Sequence, residues 1–259
     1  MSEEGNADIY PDPNRDIYLN SKLSRVSFEI RFYPLLEIDT EIVKFQKEVR
    51  DELPIYTIEK ALKQDTITGL LNEQNIHRLR TEEGELTISI TTTNFSIQAK
   101  KYEKFESYRE MIKNFTDKFF DKFQDIQQLG FLGLRYMNNF EFKIEGSINL
   151  NTAIEYFNFG IDAQEILERN IENFQVQQRY NIQDAIFKKF IGLRKDEKFN
   201  FYDVKIDLDS NYPNAKIPKD ELRPNLNKLH KNIKEVFRNA ITEKLKTDVL
   251  NKSESQNGE

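Results

Sequence analysis

The segment LGFLGLRYMNNFEF, residues 129–142, decides the fold, because its bulky residues alternate as they do in a central β-strand. Successive side chains of a strand point to opposite faces of the sheet. One face of this segment carries Leu132, Leu134 and Tyr136, and the other carries Phe131, Gly133, Arg135 and Met137. Apolar groups on both faces predict a strand that is covered on both sides, or nearly so.

Arg135 and the following Asn138 are the unusual chemistry of this segment. A buried guanidinium needs a carboxylate, carbonyl groups or an anionic ligand around it. We therefore expect Arg135 to be a structural cation that ties the central strand to a carboxylate or carbonyl across the molecule. A ligand-binding role for Arg135 and Asn138 is the alternative.

The bulk composition bounds the class of protein. The chain has 259 residues, which is the size of one large domain or two closely packed halves. Its net charge of −6 argues against nucleic-acid binding over the whole surface but leaves room for a local basic groove. The chain has no cysteine, so disulfides, thiol nucleophiles and Cys-ligated metal centres are excluded. We expect no cofactor, no secretory signal, no membrane span and a cytoplasmic location.

Outward from the central segment, hydrophobic periodicity predicts strands and long helices in alternation. Strands are expected near residues 24–33, 76–80, 85–92, 95–99, 174–182, 187–193 and 199–208. Helices are expected from a cap at Asp39 or Thr40 to Leu53, from about Glu103 to Gln128 with Gly130 closing it, and from about Pro224 to Leu250. A D-x-x-E capping box at 162–165 predicts a short helix, and a turn-rich stretch is expected at 210–224.

A short echo suggests that the chain has two related halves. FLGLR at 131–135 recurs as FIGLR at 190–194. We predict an α+β fold with an antiparallel or mixed sheet, two pseudo-repeated halves, and long amphipathic helices packed on one side. The expected organisation is a flexible arm at 1–20, a first half at 21–145, a second half at 146–250 and a disordered tail at 251–259.

Familiar catalytic motifs are absent from the sequence. The glycines form no phosphate-binding loop, and the two histidines, His77 and His230, sit in no recognisable catalytic motif. We expect both histidines to be hydrogen-bonded structural residues. Asp207 and Asp209, two apart on a predicted strand, are weak candidates for binding Mg²⁺, with an ordinary solvated strand face as the simpler interpretation.

Basic residues on the predicted strands are candidates for nucleic-acid contacts, because Arg and Lys with nearby aromatic rings can follow a phosphate backbone and stack on bases. These candidates are Arg31, Arg78, Arg80, Lys100, Lys101, Arg179, Lys188, Lys189 and Arg194. A solvated sheet face is again the simpler interpretation.

Several segments together resemble an uncharacterised, sporadically distributed family of prokaryotic proteins of about this size. The segments are VSFEIRFYPLL at 26–36, YEKFESY at 102–108, GLRYMNN at 133–139, FYDVKIDLD at 201–209 and LHKNIKEVFRNAIT at 229–242. The resemblance brings no catalytic residues. The patchy distribution of that family among genomes implies a mobile-element or defence context.

These observations lead to one functional expectation and two alternatives. We expect a non-enzymatic accessory protein of a prokaryotic defence or mobile-element system that binds a protein partner encoded nearby. The first alternative is a nucleic-acid-binding module that assists a nucleic-acid-guided or nuclease effector. The second is a Mg²⁺-dependent nuclease built on Asp207 and Asp209.

Overall fold

A computed structural model gives the architecture of the chain. It describes residues 21–64, 71–143, 154–160, 173–182, 184–196 and 201–251. The predicted arm at 1–20, the boundary near 145, the capping box at 162–165 and the end of the tail lie outside these residues. In the part of the chain that is described, no helix is both long and apolar enough to cross a membrane.

Nine strands form one antiparallel sheet, and the predicted α+β fold is confirmed. The strands are β1 (Leu23–Arg31), β2 (Ile55–Gln64), β3 (Leu71–Arg80), β4 (Leu86–Thr91), β5 (Asn94–Ala99), β6 (Gln128–Lys143), β7 (Asn173–Ile182), β8 (Ala185–Asp196) and β9 (Phe201–Pro218). Their order across the sheet is β2-β3-β4-β5-β1-β6-β9-β8-β7. The strands of the two predicted halves thus meet where β6 pairs with β9.

The described helices pack on one face of this sheet, which we call the helix face. They are α1 (Ile38–Val49), α2 (Phe105–Lys122), α3 (Leu222–Ala240) and the short α4 (Glu243–Leu245). The ring of Phe119 on α2 contacts those of Phe45 on α1 and Phe95 on β5, and all three side chains are buried. The core therefore lies between the helices and the inward residues of the strands.

The predicted inward faces are correct on the central strands. Val26, Phe28 and Ile30 of β1 are fully buried, and Leu132 and Leu134 of β6 are buried beside them. The prediction that β6 is covered on both faces is wrong. Its other face is open, because no described helix packs there, and Arg135 is exposed at the middle of the strand.

Several predicted helix ends are also wrong. Glu37 precedes α1, so that Asp39 and Thr40 lie inside its first turn and cap nothing. The second helix leaves helical geometry at Phe123, and Gly130 belongs to β6.

The last helix and the predicted turn before it also differ from expectation. The long C-terminal helix breaks at Ile241, whose extended backbone forms a β-bridge with Phe157. Thr242 then accepts a hydrogen bond from the backbone N–H of Leu245 and starts α4. The predicted turn-rich stretch at 210–224 is largely strand, since β9 continues to Pro218.

The two FxGLR segments adopt the same local structure on neighbouring parts of the sheet. In β6 the ring of Phe131 lies over Gly133, and in β8 the ring of Phe190 lies over Gly192. A Cβ added at Gly133 would stand 2.7 Å from the nearest ring carbon, and one at Gly192 would stand 2.8 Å away. Only glycine leaves room for the ring there, which gives the sequence echo a physical meaning.

Candidate binding surface on the open face of the sheet

The open face of the sheet carries mostly polar side chains along a line that runs from β7 to β3. Residues that lie directly opposite each other on adjacent strands form a line across it, which we call the transverse row. From β7 to β3 the row consists of Arg179, Lys188, Asp209, Arg135, Ser27, Gln98, Thr87 and Arg80. Adjacent strands are about 4.8 Å apart, so the row extends over about 34 Å.

A groove of about 780 Å³ lies over the central part of this row. Its lining includes the basic side chains Arg31, Arg135, Arg179, Lys188 and Lys216 and the acidic side chains Glu29 and Asp209. The groove is therefore locally basic, although the whole chain is acidic. A concave surface with a few converging polar groups is the usual form of a binding site.

Arg135 crosses from β6 to β9 and holds Asp207 with both arms of its guanidinium. Its Nε lies 2.7 Å from Oδ1 of Asp207, and its Nη2 lies 2.5 Å from Oδ2. Hydrogen bonding to this carboxylate raises the pKa of Arg135. The expected contact with a carboxylate of the second half is therefore present, but the guanidinium is half exposed and not buried.

The predicted pair of Asp207 and Asp209 lies on the open face as expected, but its carboxylates are engaged. Both oxygens of Asp207 accept hydrogen bonds from Arg135. Asp209 accepts one from the side-chain amide of Asn211, and Nζ of Lys188 is 3.9 Å away. The described residues contain no group of three or more metal-ligating side chains that could hold an ion.

Asn138, which the sequence coupled to Arg135, points the other way. Asn138 lies three positions after Arg135 in the strand and therefore on the opposite face, where it is buried on the helix face between β1 and β9. The structure therefore does not bring the two residues into one site.

The nine basic candidates divide between three places. The open face carries six of them, namely Arg31, Arg78, Arg80, Arg179, Lys188 and Arg194. Lys100 and Lys101 follow the end of β5, and Lys101 lies 3.9 Å from Glu85. Lys189 lies on the helix face of β8, where burial lowers the pKa of its amine.

Ion pairs within the open face engage several of these cations. Nε of Arg31 lies 2.6 Å from Oε1 of Glu29, and the guanidinium also lies over the ring of Phe131 at 4.5 Å from its centre. Arg78 lies 2.9 Å from Glu59, and Arg194 lies 3.8 Å from Asp203.

Arg179 and Lys188 differ from the other cations, because they lie directly opposite each other on β7 and β8. Like charges in opposed positions destabilise a strand pair. Within the described part of the chain, no carboxylate forms an ion pair with Arg179. This pair is the strongest sign of a site on the open face, and the sequence alone did not show that the two residues meet.

Both histidines belong to hydrogen-bond networks on the helix face, as expected. His77 is buried, with Oδ1 of Asp39 at 2.7 Å from Nε2 and the hydroxyl of Tyr56 at 2.9 Å from Nδ1. His230 stacks on Phe105, and its Nδ1 is 3.0 Å from the hydroxyl of Tyr136.

Comparison with known proteins gives no relative: no family model matches the chain, and neither does any curated protein or any solved structure.

Proposed function

We propose that the protein is a non-enzymatic binding protein and that a single-stranded nucleic acid lies across the open face of its sheet. The observation that carries this proposal is the opposed pair of Arg179 and Lys188. A phosphate between the two side chains would replace their repulsion with two charge-assisted hydrogen bonds.

The shape of the surface supports an extended partner. The transverse row runs across the strands and places cations at Arg179, Lys188, Arg135 and Arg80 along about 34 Å. An extended polyanion could contact all four cations, with Asp209 and three uncharged residues between them, whereas a small anion would use only one part of the row.

Two aromatic rings on the same face favour nucleic acid among anionic chains. Phe131 and Phe190 are half-buried on the open face, on either side of β9; the guanidinium of Arg31 covers the Phe131 ring, so a base would have to displace Arg31 to stack there. Base stacking on aromatic side chains contributes about 1–3 kcal/mol per base and tolerates any sequence. The same rings offer little to an acidic peptide that lacks aromatic groups.

A protein partner is the second candidate. The ion pairs Arg31–Glu29, Arg78–Glu59 and Arg135–Asp207 leave much of the face charge-balanced, and a protein surface that carries charges of both signs could complement it. The defence or mobile-element context that the resemblance implies is compatible with either partner, and so is the cytoplasmic location expected from the sequence. The Mg²⁺-dependent nuclease has no comparable support, since both oxygens of Asp207 are taken by Arg135.

The first experiment measures binding of a labelled single strand by fluorescence anisotropy at several salt concentrations. Oligothymidylate and oligouridylate of about 12 nucleotides fall within the site sizes usual for such surfaces. If the four cations of the row contact phosphates, the logarithm of the association constant should fall with the logarithm of salt concentration with a slope of about −3. Replacing Arg179 and Lys188 together with Gln should make that slope shallower by about 1.4.

The matched control is Lys189→Gln, which removes one positive charge from the residue next to Lys188 but on the helix face. This variant should bind as the wild type does. Equal losses from Lys189→Gln and Lys188→Gln would show that only overall charge matters. Two results together would favour the protein partner. The protein would bind no nucleic acid at low salt, and it would form a stable complex with a neighbouring gene product that the Arg179 and Lys188 replacements disrupt.

A further inference from the structure

Edge strand β2 exposes apolar side chains on the helix face of the sheet. Among the described strands β2 pairs with β3 alone, so one side of its backbone is open to a further strand. Ile58 and Leu62 of this strand are 55% and 68% exposed. Natural proteins usually avoid such apolar residues on an open edge unless another surface covers them.

Helix α1 extends the same apolar strip. Asp39 on the flank of α1 contacts His77, and the residue opposite His77 on β2 is Ile58. Val43 follows Asp39 by one helical turn on that flank and is 51% exposed. We call Val43, Ile58 and Leu62 the edge strip. Among the described residues they account for three of the five large apolar side chains that are exposed.

We propose that a second copy of this chain covers the edge strip, with the two β2 strands paired antiparallel around a two-fold axis at Lys60. In this register Ile58 of each copy lies opposite Leu62 of the other. Each exposed apolar side chain then packs on one of its own kind, and the two sheets become one.

The spacing of the strip selects this register over its neighbours. Residues that lie opposite each other in an antiparallel pair point to the same face of the sheet. In every allowed register, therefore, Ile58, Lys60 and Leu62 of one copy lie opposite helix-face residues of the other copy. The next register on one side places Ile58 opposite Lys60, and the next on the other side places Leu62 opposite Lys60. Both would desolvate an ammonium group against an apolar side chain.

The charges on the axis are balanced in the proposed register. Nζ of Lys60 lies 2.9 Å from Oε2 of Glu73 on the adjacent strand. The axis therefore brings together two ammonium groups and two carboxylates, and each Lys60 keeps its own partner. On the open face, Glu59 lies opposite Ala61 of the other copy, so that no like charges are opposed there.

The absence of cysteine from the chain gives a direct test of the register. The experiment mixes full-length chains that carry Ile58→Cys with chains that carry Leu62→Cys and follows disulfide formation under mild oxidation. Opposed residues have Cβ atoms about 4.5–5.5 Å apart, close to the separation that a disulfide needs. Two copies of residue 58 would instead be about 13 Å apart along the strand direction.

The mixture should therefore cross-link several-fold faster than either variant alone, and the wild type should sediment with the mass of two chains. The Leu62→Glu variant should sediment with the mass of one chain. The control is Leu36→Glu, at a residue that is 79% exposed and lies outside the edge strip, and this variant should sediment with the mass of two chains as the wild type does. Circular dichroism of both variants verifies that they fold. Any one of three results would overturn the proposal: a wild type that sediments as one chain, equal cross-linking in all three samples, or equal effects of the two Glu variants. None of these results depends on nucleic-acid binding.

Discussion

The contact between Arg135 and Asp207 should couple β6 to β9, and a double-mutant cycle can measure that coupling. The cycle uses Arg135→Gln, Asp207→Asn and the double variant. Two charge-assisted hydrogen bonds of 2.7 and 2.5 Å join the side chains. The side chain of Asp207 is 11% exposed, so removal of Arg135 leaves a nearly buried carboxylate without its partner.

The size of the effect follows from this unequal exposure. Breaking a fully buried ion pair costs about 3–5 kcal/mol. Half of the Arg135 side chain is exposed, which lets water replace part of the interaction. We therefore expect a coupling free energy of about 1.5–3 kcal/mol. Since 1 kcal/mol shifts the melting temperature of a chain of this size by about 2–4 °C, Arg135→Gln should lower it by about 3–12 °C.

Urea unfolding of the wild type and the three variants gives the coupling free energy. The related segment FIGLR at 190–194 on β8 supplies the control. Arg194 occupies the position that corresponds to Arg135, but its guanidinium is 61% exposed and lies 3.8 Å from Asp203. The cycle of Arg194→Gln and Asp203→Asn should give less than about 1 kcal/mol. Equal coupling in the two cycles, or an Arg135–Asp207 coupling below about 0.5 kcal/mol, would refute the reasoning.

Two further predictions concern the core around the same strand. Gly133→Ala should lower the free energy of unfolding by about 1–2 kcal/mol, because the added Cβ displaces the Phe131 ring. A Cβ added at Gly130 would meet its nearest atom at 3.8 Å, so Gly130→Ala should change the free energy of unfolding by less than about 0.5 kcal/mol. The denaturation midpoints of the two variants measure the difference. Burial raises the pKa of Tyr136 well above 10.0, so stability should be complete below pH 10 and fall as the pH rises further, since the unfolded chain releases this proton first. Tyr136→Phe should make that alkaline loss shallower and lower stability at neutral pH by about 1–2 kcal/mol, because His230 loses a hydrogen-bond partner; unfolding curves between pH 7 and pH 11 test both effects.

The strand faces were predictable from the sequence because alternation is a local property. The inward residues of β1 and the assignment of Leu132, Leu134 and Tyr136 to one face required only a period of two. The same rule would have separated Lys188 from Lys189, since adjacent strand residues cannot share a face. Grouping the two lysines in one basic candidate set overlooked a signal that the sequence contained.

Strand order and helix ends were not predictable in the same way. Residues that are distant in the chain decide which strands pair, and the meeting of Arg179 with Lys188 follows from the β7–β8 register. The C-terminal helix breaks at Ile241 because that residue forms a bridge with Phe157, a contact across more than eighty residues. Local periodicity carries no information about such contacts, because tertiary packing overrides helix propensity there.

The position of β1 has a consequence for the order in which the molecule is made. The first described strand of the chain is the middle strand of the sheet, and both of its neighbours come much later. Asn94, the partner of Arg31 on β5, follows more than sixty residues behind it, and Phe131, its partner on β6, about a hundred. During synthesis at about 5–20 residues per second, β1 therefore waits roughly 3–12 seconds for its first neighbour. For that time a strand with one apolar face has two open edges, through which the nascent chain can pair with another molecule.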